Sequence, residues 1–218
     1  MNGLTRELMA IRAAQELQDG MFVNLGIGLP SLVSDFIPAD RQVILQSENG
    51  VLGVGKIAEE QPDTDLVNAS GNPVSVIPGA SFFDSGLSFA MIRGGHIDVC
   101  ILGAFQVSEQ GDLANWLTAE QKAGGVGGAM DLAVGAKRVI VLMEHARNDG
   151  TPRIVKKCSL PLTGERIVKT IITNLAVIEI EKGRLWLKEL APGITVDEVQ
   201  EATEPKLVIS KDLKDMEL

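Results

Sequence analysis

The stretch VILQSENG, residues 43–50, joins a short apolar run to a single acidic side chain and a turn. This pattern predicts a strand that ends just before Glu48, followed by two residues, Asn49 and Gly50, that tolerate positive φ in a sharp turn. In open α/β sheets, ligands bind beyond the carboxyl ends of the strands. Glu48 is therefore predicted to face a cleft, although the same spacing also fits a solvated glutamate on a surface turn.

Length and composition indicate one α/β domain over residues 1–218, since 45% of the residues are hydrophobic and can form a substantial core. No apolar run approaches the length of a membrane span, and the first residues lack the pattern of a signal peptide. The two cysteines, Cys100 and Cys158, lie in apolar or strand-like runs. Reduced, buried thiols in a cytoplasmic protein are therefore expected.

The charge balance restricts the possible chemistry, because the net charge is −9 and the chain has two histidines and no tyrosine. A basic face for nucleic acid is disfavoured. Neither a histidine zinc site nor any other metal site is expected. An anionic ligand would have to be bound by backbone N–H groups and helix N-termini. His96 is predicted to make structural hydrogen bonds, and His145 follows the end of a buried strand.

Apolar runs alternate with amphipathic segments, which predicts an α/β fold with an open, mostly parallel sheet flanked by helices. Pro78 and Gly79 are expected to end one strand, and Lys182 with Gly183 is predicted to join a hairpin. A capping-box pattern beginning at Thr195 predicts the last helix. The predicted helices cover residues 4–18, 30–36 and 85–93, and the predicted strands cover 21–25, 43–45, 74–77, 97–102, 138–143, 153–158, 175–181 and 184–189.

Two glycine-rich loops each follow a strand or precede a helix. The first, GIGLP at residues 26–30, fits either a phosphate-binding loop or a tight turn without a ligand. The third glycine of a dinucleotide fingerprint is absent, because Ser31 occupies that position. The second loop, GGVGG at residues 124–128, fits a nest of backbone donors or a hinge.

A carboxylate at a strand end, together with glycine-rich donor loops, suits nucleophilic catalysis beside oxyanion-binding amides. A glutamate with an ordinary pKa of about 4.3 is ionised at neutral pH and needs no general base. This chemistry agrees with a chain that has so few histidines.

Several segments in order resemble the family I (3-oxoacid type) CoA-transferases, in their β subunit. The resemblance includes the active-site signature SENG and covers nearly the whole chain. The matching segments are NLGIGLP (24–30), SENG (47–50), SFAMIRGGH (88–96), GDLANW (111–116), GGAMDL (127–132) and PLT (161–163).

The resemblance implies the open α/β sheet shared by CoA-transferases and some sugar-phosphate isomerases, and a ping-pong reaction through a glutamyl-CoA thioester. Glu48 would be the nucleophile and the N–H of Gly128 the oxyanion donor, with an alanine at position 128 expected to strain the backbone. Coenzyme A would be a substrate, with no permanently bound cofactor. An α subunit would be the partner, in a hetero-oligomer such as α2β2. The implied CoA contacts are Asn24, Gly26, Gly28, Asn49, Gly50 and Gly127.

One stretch departs from the family pattern, because residues 117–122 replace a usual Pro-Gly-Lys turn with LTAEQK. This difference bears on the shape of the loop and on the choice of acid, which the sequence does not identify. Two other interpretations compete with the transferase. A non-catalytic ligand-binding or regulatory domain could use the same fold. A nicotinamide-dependent dehydrogenase is disfavoured by the missing third glycine.

Overall fold

The computed structural model describes residues 3–58, 63–118 and 125–218. The strands within these ranges are β1 Phe22–Leu25, β2 Ile44–Ser47, β3 Val51–Ile57, β4 Val74–Phe82, β5 Val99–Leu102, β6 Gln106–Ser108, β7 Leu113–Ala114, β8 Arg138–Leu142, β9 Ile154–Val155, β10 Val168–Ile172, β11 Ala176–Glu181, β12 Arg184–Leu190 and β13 Val208–Asp215. The helices are α1 Arg6–Ala14, a 3₁₀ helix Leu29–Phe36, α2 Ser85–Arg93, α3 Ala129–Gly135 and α4 Val196–Glu201.

Ten of the described strands form one open sheet in the order β13-β12-β11-β10-β8-β5-β1-β2-β3-β4. The five central strands, β10, β8, β5, β1 and β2, are parallel. Antiparallel strands extend the sheet on both sides. The α/β fold with a large, mostly parallel sheet flanked by helices is thus confirmed. Because the central strands are parallel, their carboxyl ends meet at one edge.

Three of the described helices, α1, α2 and α4, begin at side chains that cap them. The side chain of Thr5 accepts a hydrogen bond from the N–H of Leu8 at the start of α1, and Asp84 caps α2 through Leu87. The predicted capping box of α4 is formed by Thr195 and Glu198. Helix α1 ends at Ala14, four residues before its predicted end, and the segment after the first glycine loop is a 3₁₀ helix.

The predicted end of a strand at Pro78 and Gly79 is wrong, because β4 continues through both residues to Phe82. β4 is the edge strand of the sheet, where a proline that lacks an N–H removes no ladder hydrogen bond. Gly79 has a φ of 88°, and the pairing register with β3 shifts along this strand. β4 therefore continues past Pro78 and Gly79 with an irregular pairing to β3. The sequence patterns also missed β3, β10 and β13, and the short strands β6 and β7.

The predicted hairpin between β11 and β12 is confirmed. Lys182 and Gly183 have φ values of 50° and 69°, and positive φ at both central residues matches the right-handed twist of the flanking strands. A second, three-stranded sheet has the order β7-β6-β9. Its strand ends lie beside the carboxyl edge of the large sheet, so the loops of both sheets contribute to the cleft described below.

Helix α1 is fixed to the sheet by a buried ion pair as well as by its apolar face. The guanidinium of Arg12 donates to both carboxylate oxygens of Glu189 on β12, at 2.6 and 2.9 Å, and it also pairs with Glu16. Because each charge is compensated by a close partner, the cost of burying these groups is offset. Among the described residues, no helix is long and apolar enough to cross a membrane.

Candidate active site

A cleft of about 440 Å³ lies at the carboxyl edge of the central strands. The loops that follow β1, β2, β5 and β8 line it, together with the start of α3 and residues from the small sheet. The lining includes Gly26, Glu48, Gly103, Glu144 and Gly128. This is the location expected for a ligand site in an open α/β sheet.

Glu48 lies in the tight turn between β2 and β3, and its side chain is half-buried on the wall of the cleft. The turn is closed by a hydrogen bond of 3.0 Å from the N–H of Gly50 to the carbonyl of Ser47. Gly50 has a φ of 120°, and a Cβ at this position would overlap the carbonyl oxygen of Phe83. The turn that positions Glu48 therefore requires glycine at position 50.

A network of buried, hydrogen-bonded side-chain amides lies next to the carboxylate of Glu48. The Nδ2 of Asn24, which is fully buried, lies 3.4 Å from Oε2 of Glu48 and donates to Oε1 of Gln46 at 2.7 Å. The Nε2 of Gln46 in turn donates to Oγ of the buried Ser88 on α2 at 2.7 Å. A chain of hydrogen-bonded side chains thus links Glu48 to α2, and such networks fix the rotamers of the groups that they contain.

The second glycine loop approaches Glu48 closely. A Cβ built on Gly128 would stand 3.4 Å from Cγ of Glu48 and 3.2 Å from two ring carbons of Phe89. Gly128 is the N-cap of α3, and the first N–H groups of a helix have no acceptor within the helix. Gly127 has a φ of 51°, a conformation that favours glycine. Gly124 and the other residues of 119–124 lie outside the described ranges.

The prediction that an alanine at position 128 would strain the backbone is wrong, because Gly128 has a φ of −85° and a ψ of 2°. This conformation is open to any residue. The tight contact for a Cβ at this position is the ring of Phe89, at 3.2 Å, with Cγ of Glu48 next at 3.4 Å.

The predicted site residues divide into two groups by their position. Four of them line the cleft: Gly26, Glu48, Gly127 and Gly128. The other four lie outside its described lining: Asn24 is buried beneath Glu48, Gly28 is exposed beside the cleft, the side chain of Asn49 donates to the carbonyl of Val67, and Gly50 is buried in the turn.

Three charged residues of the cleft were missed by sequence reasoning: Arg6, Glu144 and Arg153. Arg153 was predicted only as the start of a strand, and it immediately precedes β9. Glu144 follows the end of β8, so its position after a buried strand was the signal that could have identified it. Trp116 also lines the cleft, where it is partly buried and its Nε1 donates to the carbonyl of Leu162 at 3.2 Å.

The buried histidine is part of the framework, because His145 lies outside the described lining of the cleft. Its ring nitrogens each lie 2.8 Å from a threonine hydroxyl, of Thr173 and Thr203, and burial lowers the pKa of His145 to about 4. His96 is exposed, and its backbone N–H donates to the carbonyl of Met91. The cysteine behind the site, Cys100, is fully buried, and burial followed by the charge of Glu48 raises the pKa of its thiol.

Within the described ranges, no cluster of three or more histidine, cysteine, aspartate or glutamate side chains is arranged to hold a metal ion. The cleft instead combines one half-buried carboxylate, a helix N-terminus built from glycines and an arginine. This arrangement can present an anionic nucleophile to a carbonyl group while backbone donors bind the oxygen on which charge develops.

The fold and the cleft define an α/β protein with an open, mostly parallel sheet and a ligand cleft at its carboxyl edge. The structure superimposes on the crystal structure of the acyl-CoA transferase YdiF apoenzyme from Escherichia coli O157:H7 with a TM-score of 0.80 and 24% identity. The match covers 98% of this chain and 43% of that chain, and at this identity it shows the fold alone.

Sequence comparison is more specific. Residues 6–202 match the family described as Coenzyme A transferase. The chain is 53% identical to one subunit of the probable succinyl-CoA:3-ketoacid coenzyme A transferase of Bacillus subtilis (strain 168), covering 94% of this chain and 96% of that protein. It is 47% identical to the beta subunit of the acetate CoA-transferase of Escherichia coli (strain K12), covering 95% of each. The chain therefore belongs to the coenzyme A transferase family, as a β subunit of the 3-oxoacid type.

Proposed function

We propose that this chain is the subunit that supplies the nucleophile for transfer of coenzyme A between a short-chain acyl-CoA and a 3-oxoacid or short-chain carboxylic acid. The observation that carries the proposal is the half-buried carboxylate of Glu48, held on the cleft wall beside the glycine N-cap of α3. A ligand-binding or regulatory domain on the same fold has no need for a carboxylate held beside the glycine N-cap of a helix.

The proposed reaction has two half-reactions that mirror each other. In the first, an oxygen of Glu48 attacks the acyl-CoA carbonyl, the C–S bond breaks, and a mixed anhydride and CoA thiolate result. The thiolate then attacks the side-chain carbonyl of Glu48, which releases the acid and leaves a glutamyl-CoA thioester. The second acid repeats these steps in reverse order and leaves as the new acyl-CoA, while Glu48 returns as a carboxylate.

Each half-reaction places negative charge on a carbonyl oxygen next to Glu48. In the proposal, the N–H of Gly128 donates to that oxygen, because Gly128 is the N-cap of α3 and a Cβ built on it would stand 3.4 Å from Cγ of Glu48. Removing one such donor typically costs about 3 kcal/mol of transition-state stabilisation. The neighbouring Gly127, the loop at Gly26 and Gly28, and the turn at Asn49 and Gly50 are proposed to contact the CoA.

The chain is proposed to work with an α subunit in a hetero-oligomer such as α2β2. Its curated relatives from Bacillus subtilis and Escherichia coli are named as single subunits of their enzymes. It also spans 43% of the YdiF chain, which leaves more than half of that fold to be supplied elsewhere. Several large apolar side chains, including Phe82, Leu87 and Val134, are exposed and available for such contact.

The proposal is tested by co-expressing the chain with the protein encoded beside it and assaying the purified pair against a panel of acyl-CoA donors and acids. Transfer with parallel lines in double-reciprocal plots is expected for the pair, and little activity is expected for this chain alone. A pair that binds acyl-CoA but transfers nothing to any acid of the panel would favour the regulatory interpretation. Full activity of the isolated chain would contradict the need for a partner.

A further inference from the structure

Arg153 is placed in the cleft by several independent contacts. Its backbone N–H donates to the carbonyl of His145 at 3.2 Å, and its carbonyl accepts from the N–H of Val107 at 2.9 Å. Its Nη1 donates to the carbonyl of Ala104 at 3.0 Å. The side chain therefore stands on the wall formed by the loop after β5, and it also borders a neighbouring cavity of about 310 Å³.

One edge of the Arg153 guanidinium carries a hydrogen-bond donor without a partner among the described residues. Its Nε is buried and has no hydrogen-bond partner among the residues that the structure describes. The hydrogens on Nε and on Nη2 point in parallel, and this edge of an arginine forms two bonds with one carboxylate. An unpaired buried donor is costly, so natural sites rarely keep one without a reason. A bound carboxylate would satisfy it.

The charge of Arg153 is likewise under-compensated within the described residues. Burial, followed by the neighbouring charge of Arg147, lowers the pKa of this guanidinium, while Glu144 acts in the opposite direction. No carboxylate of these residues forms an ion pair with it within 4.0 Å. Arg6, the other cation of the cleft, is exposed at the start of α1, where water screens its charge. Arg153 is thus the cation better suited to hold an anion inside the cleft.

The order of the strands sets the backbone separation of the loops that hold this group and the nucleophile. Glu48 follows β2, and Arg153 is bonded to the loop after β5, with β1 between them. Two strand spacings are about 10 Å. A four-carbon diacid whose thioester carbonyl is attacked at one end, and whose free carboxylate is hydrogen-bonded at the other, needs a span of about 11 Å.

We infer that Arg153 binds the remote carboxylate of a dicarboxylic acyl-CoA, such as a succinyl thioester, while Glu48 attacks its thioester carbonyl. This inference rests on the proposed transferase function and assigns one residue as the determinant of its acyl specificity. Monocarboxylic acyl groups have no charge to place against Arg153, so they gain nothing from it.

The test compares succinyl-CoA with butyryl-CoA as donors to one acceptor, using the co-expressed pair. Arg153→Met is expected to lower kcat/KM for succinyl-CoA by about 30-fold or more, as expected for loss of a charge-assisted pair. The value for butyryl-CoA should change by less than about threefold. Arg153→Lys keeps the charge but cannot form two parallel hydrogen bonds with one carboxylate, so an intermediate loss of kcat/KM for succinyl-CoA is expected. Arg184→Met, the same change at an exposed position on β12, is the matched control and should alter neither value.

Equal losses with both donors would show a structural role and overturn the inference, as would an unchanged ratio. If Arg153→Met fails to fold, the same question is asked of the wild-type pair with succinamoyl-CoA, in which an amide replaces the remote carboxylate. Equal use of the two thioesters would overturn the inference, and a preference of at least tenfold for the carboxylate would support it. Absence of transfer with every donor would instead remove the proposed function itself.

Discussion

The Cγ of Glu48 lies 3.4 Å from the point where a Cβ on Gly128 would stand. This closeness joins two turns that are 80 residues apart in sequence, one at the end of β2 and one at the start of α3. The glycine therefore leaves room for the carboxylate and for any group bonded to it, and each of the two residues constrains what the other can do.

Gly128→Ala is expected to lower kcat by more than tenfold while the protein remains folded. The added methyl group would press on the ring of Phe89 at 3.2 Å and fill the space beside Glu48 at 3.4 Å, which is expected to displace the N–H that is proposed to bind the oxyanion. Steady-state kinetics and thermal melting of the co-expressed pair measure the two effects.

The ring of Phe89 provides the control for this substitution. Phe89→Leu should relieve the crowding of the ring in the Gly128→Ala background without restoring the oxyanion donor. Recovery of wild-type kcat in the double variant would show that ring packing, and not the donor, caused the loss. Unchanged turnover in Gly128→Ala would remove the oxyanion assignment.

Asn24→Ala is expected to lower kcat by about tenfold or more with little change in KM for acyl-CoA. The family resemblance places Asn24 among the CoA contacts, but its side chain is fully buried and its Nδ2 faces Glu48 and Gln46. Loss of the donor would leave the nucleophile less well oriented, and misplacement by about 1 Å is enough to slow a reaction strongly.

Asn24→Asp distinguishes orientation from packing, because it keeps the volume but sets a carboxylate against Glu48. It should reduce kcat at neutral pH further than Asn24→Ala does, since it replaces a donor with a like charge. A raised KM for acyl-CoA at unchanged kcat in either variant would support a direct CoA contact instead.

The framework histidine predicts a dependence of stability on pH. Burial lowers the pKa of His145 to about 4, so the neutral ring is the form that the fold accepts. The unfolded chain, with an ordinary pKa of about 6.5, binds the proton more tightly. The stability due to this difference is complete above about pH 6.5 and is lost as the pH falls towards 4, by about 3 kcal/mol.

Urea unfolding of wild type and of His145→Gln at pH 7 and pH 4 measures this contribution of His145 to the free energy of unfolding. The carboxylates that also titrate in this range are common to both proteins, so the difference between them isolates the histidine. The wild type should lose about 3 kcal/mol more than the variant between the two pH values. Parallel losses would show that His145 does not carry the acid sensitivity.

The patterns that predicted the fold were local, and the contacts that complete the site are not. The buried strands β5 and β8 are continuous apolar runs, and the turn after β2 contains its own glycine, so both could be predicted from the sequence. Arg153 is different. It enters the cleft through bonds to Ala104, His145 and Val107, and no spacing in the sequence indicates such contacts.

The same distinction explains the wrong strand end at Pro78 and Gly79. β4 passes through Pro78 because it lies at the sheet edge, and an edge position follows from topology and not from local propensity. The resemblance implies that Asn24 contacts CoA, and its position in β1 beside the parallel β2 turns its side chain towards Gln46 and Glu48, which no local pattern indicates.

The decisive prediction concerns Glu48 as the covalent nucleophile. Incubating the co-expressed pair with acyl-CoA and no acceptor acid should load CoA onto this chain through a thioester bond. Hydroxylamine should release the CoA, borohydride should reduce the loaded side chain, and peptide mapping should place the modification within residues 46–50. Glu48→Gln has no nucleophilic carboxylate and should neither load CoA nor transfer it. Glu48→Asp keeps the charge but withdraws it by one methylene, which should slow transfer by orders of magnitude through misplacement.

The matched control is Glu144→Gln, which makes the same change at another carboxylate of the same cleft. The CoA adduct should still form in this variant and map to the same peptide, because its nucleophile is intact. The Asn24–Gln46–Ser88 network remains in Glu48→Gln, so this variant should keep its fold. Wild-type transfer by Glu48→Gln, or an adduct on any other residue, would end the assignment of Glu48. The geometry at Gly128 would then need another explanation.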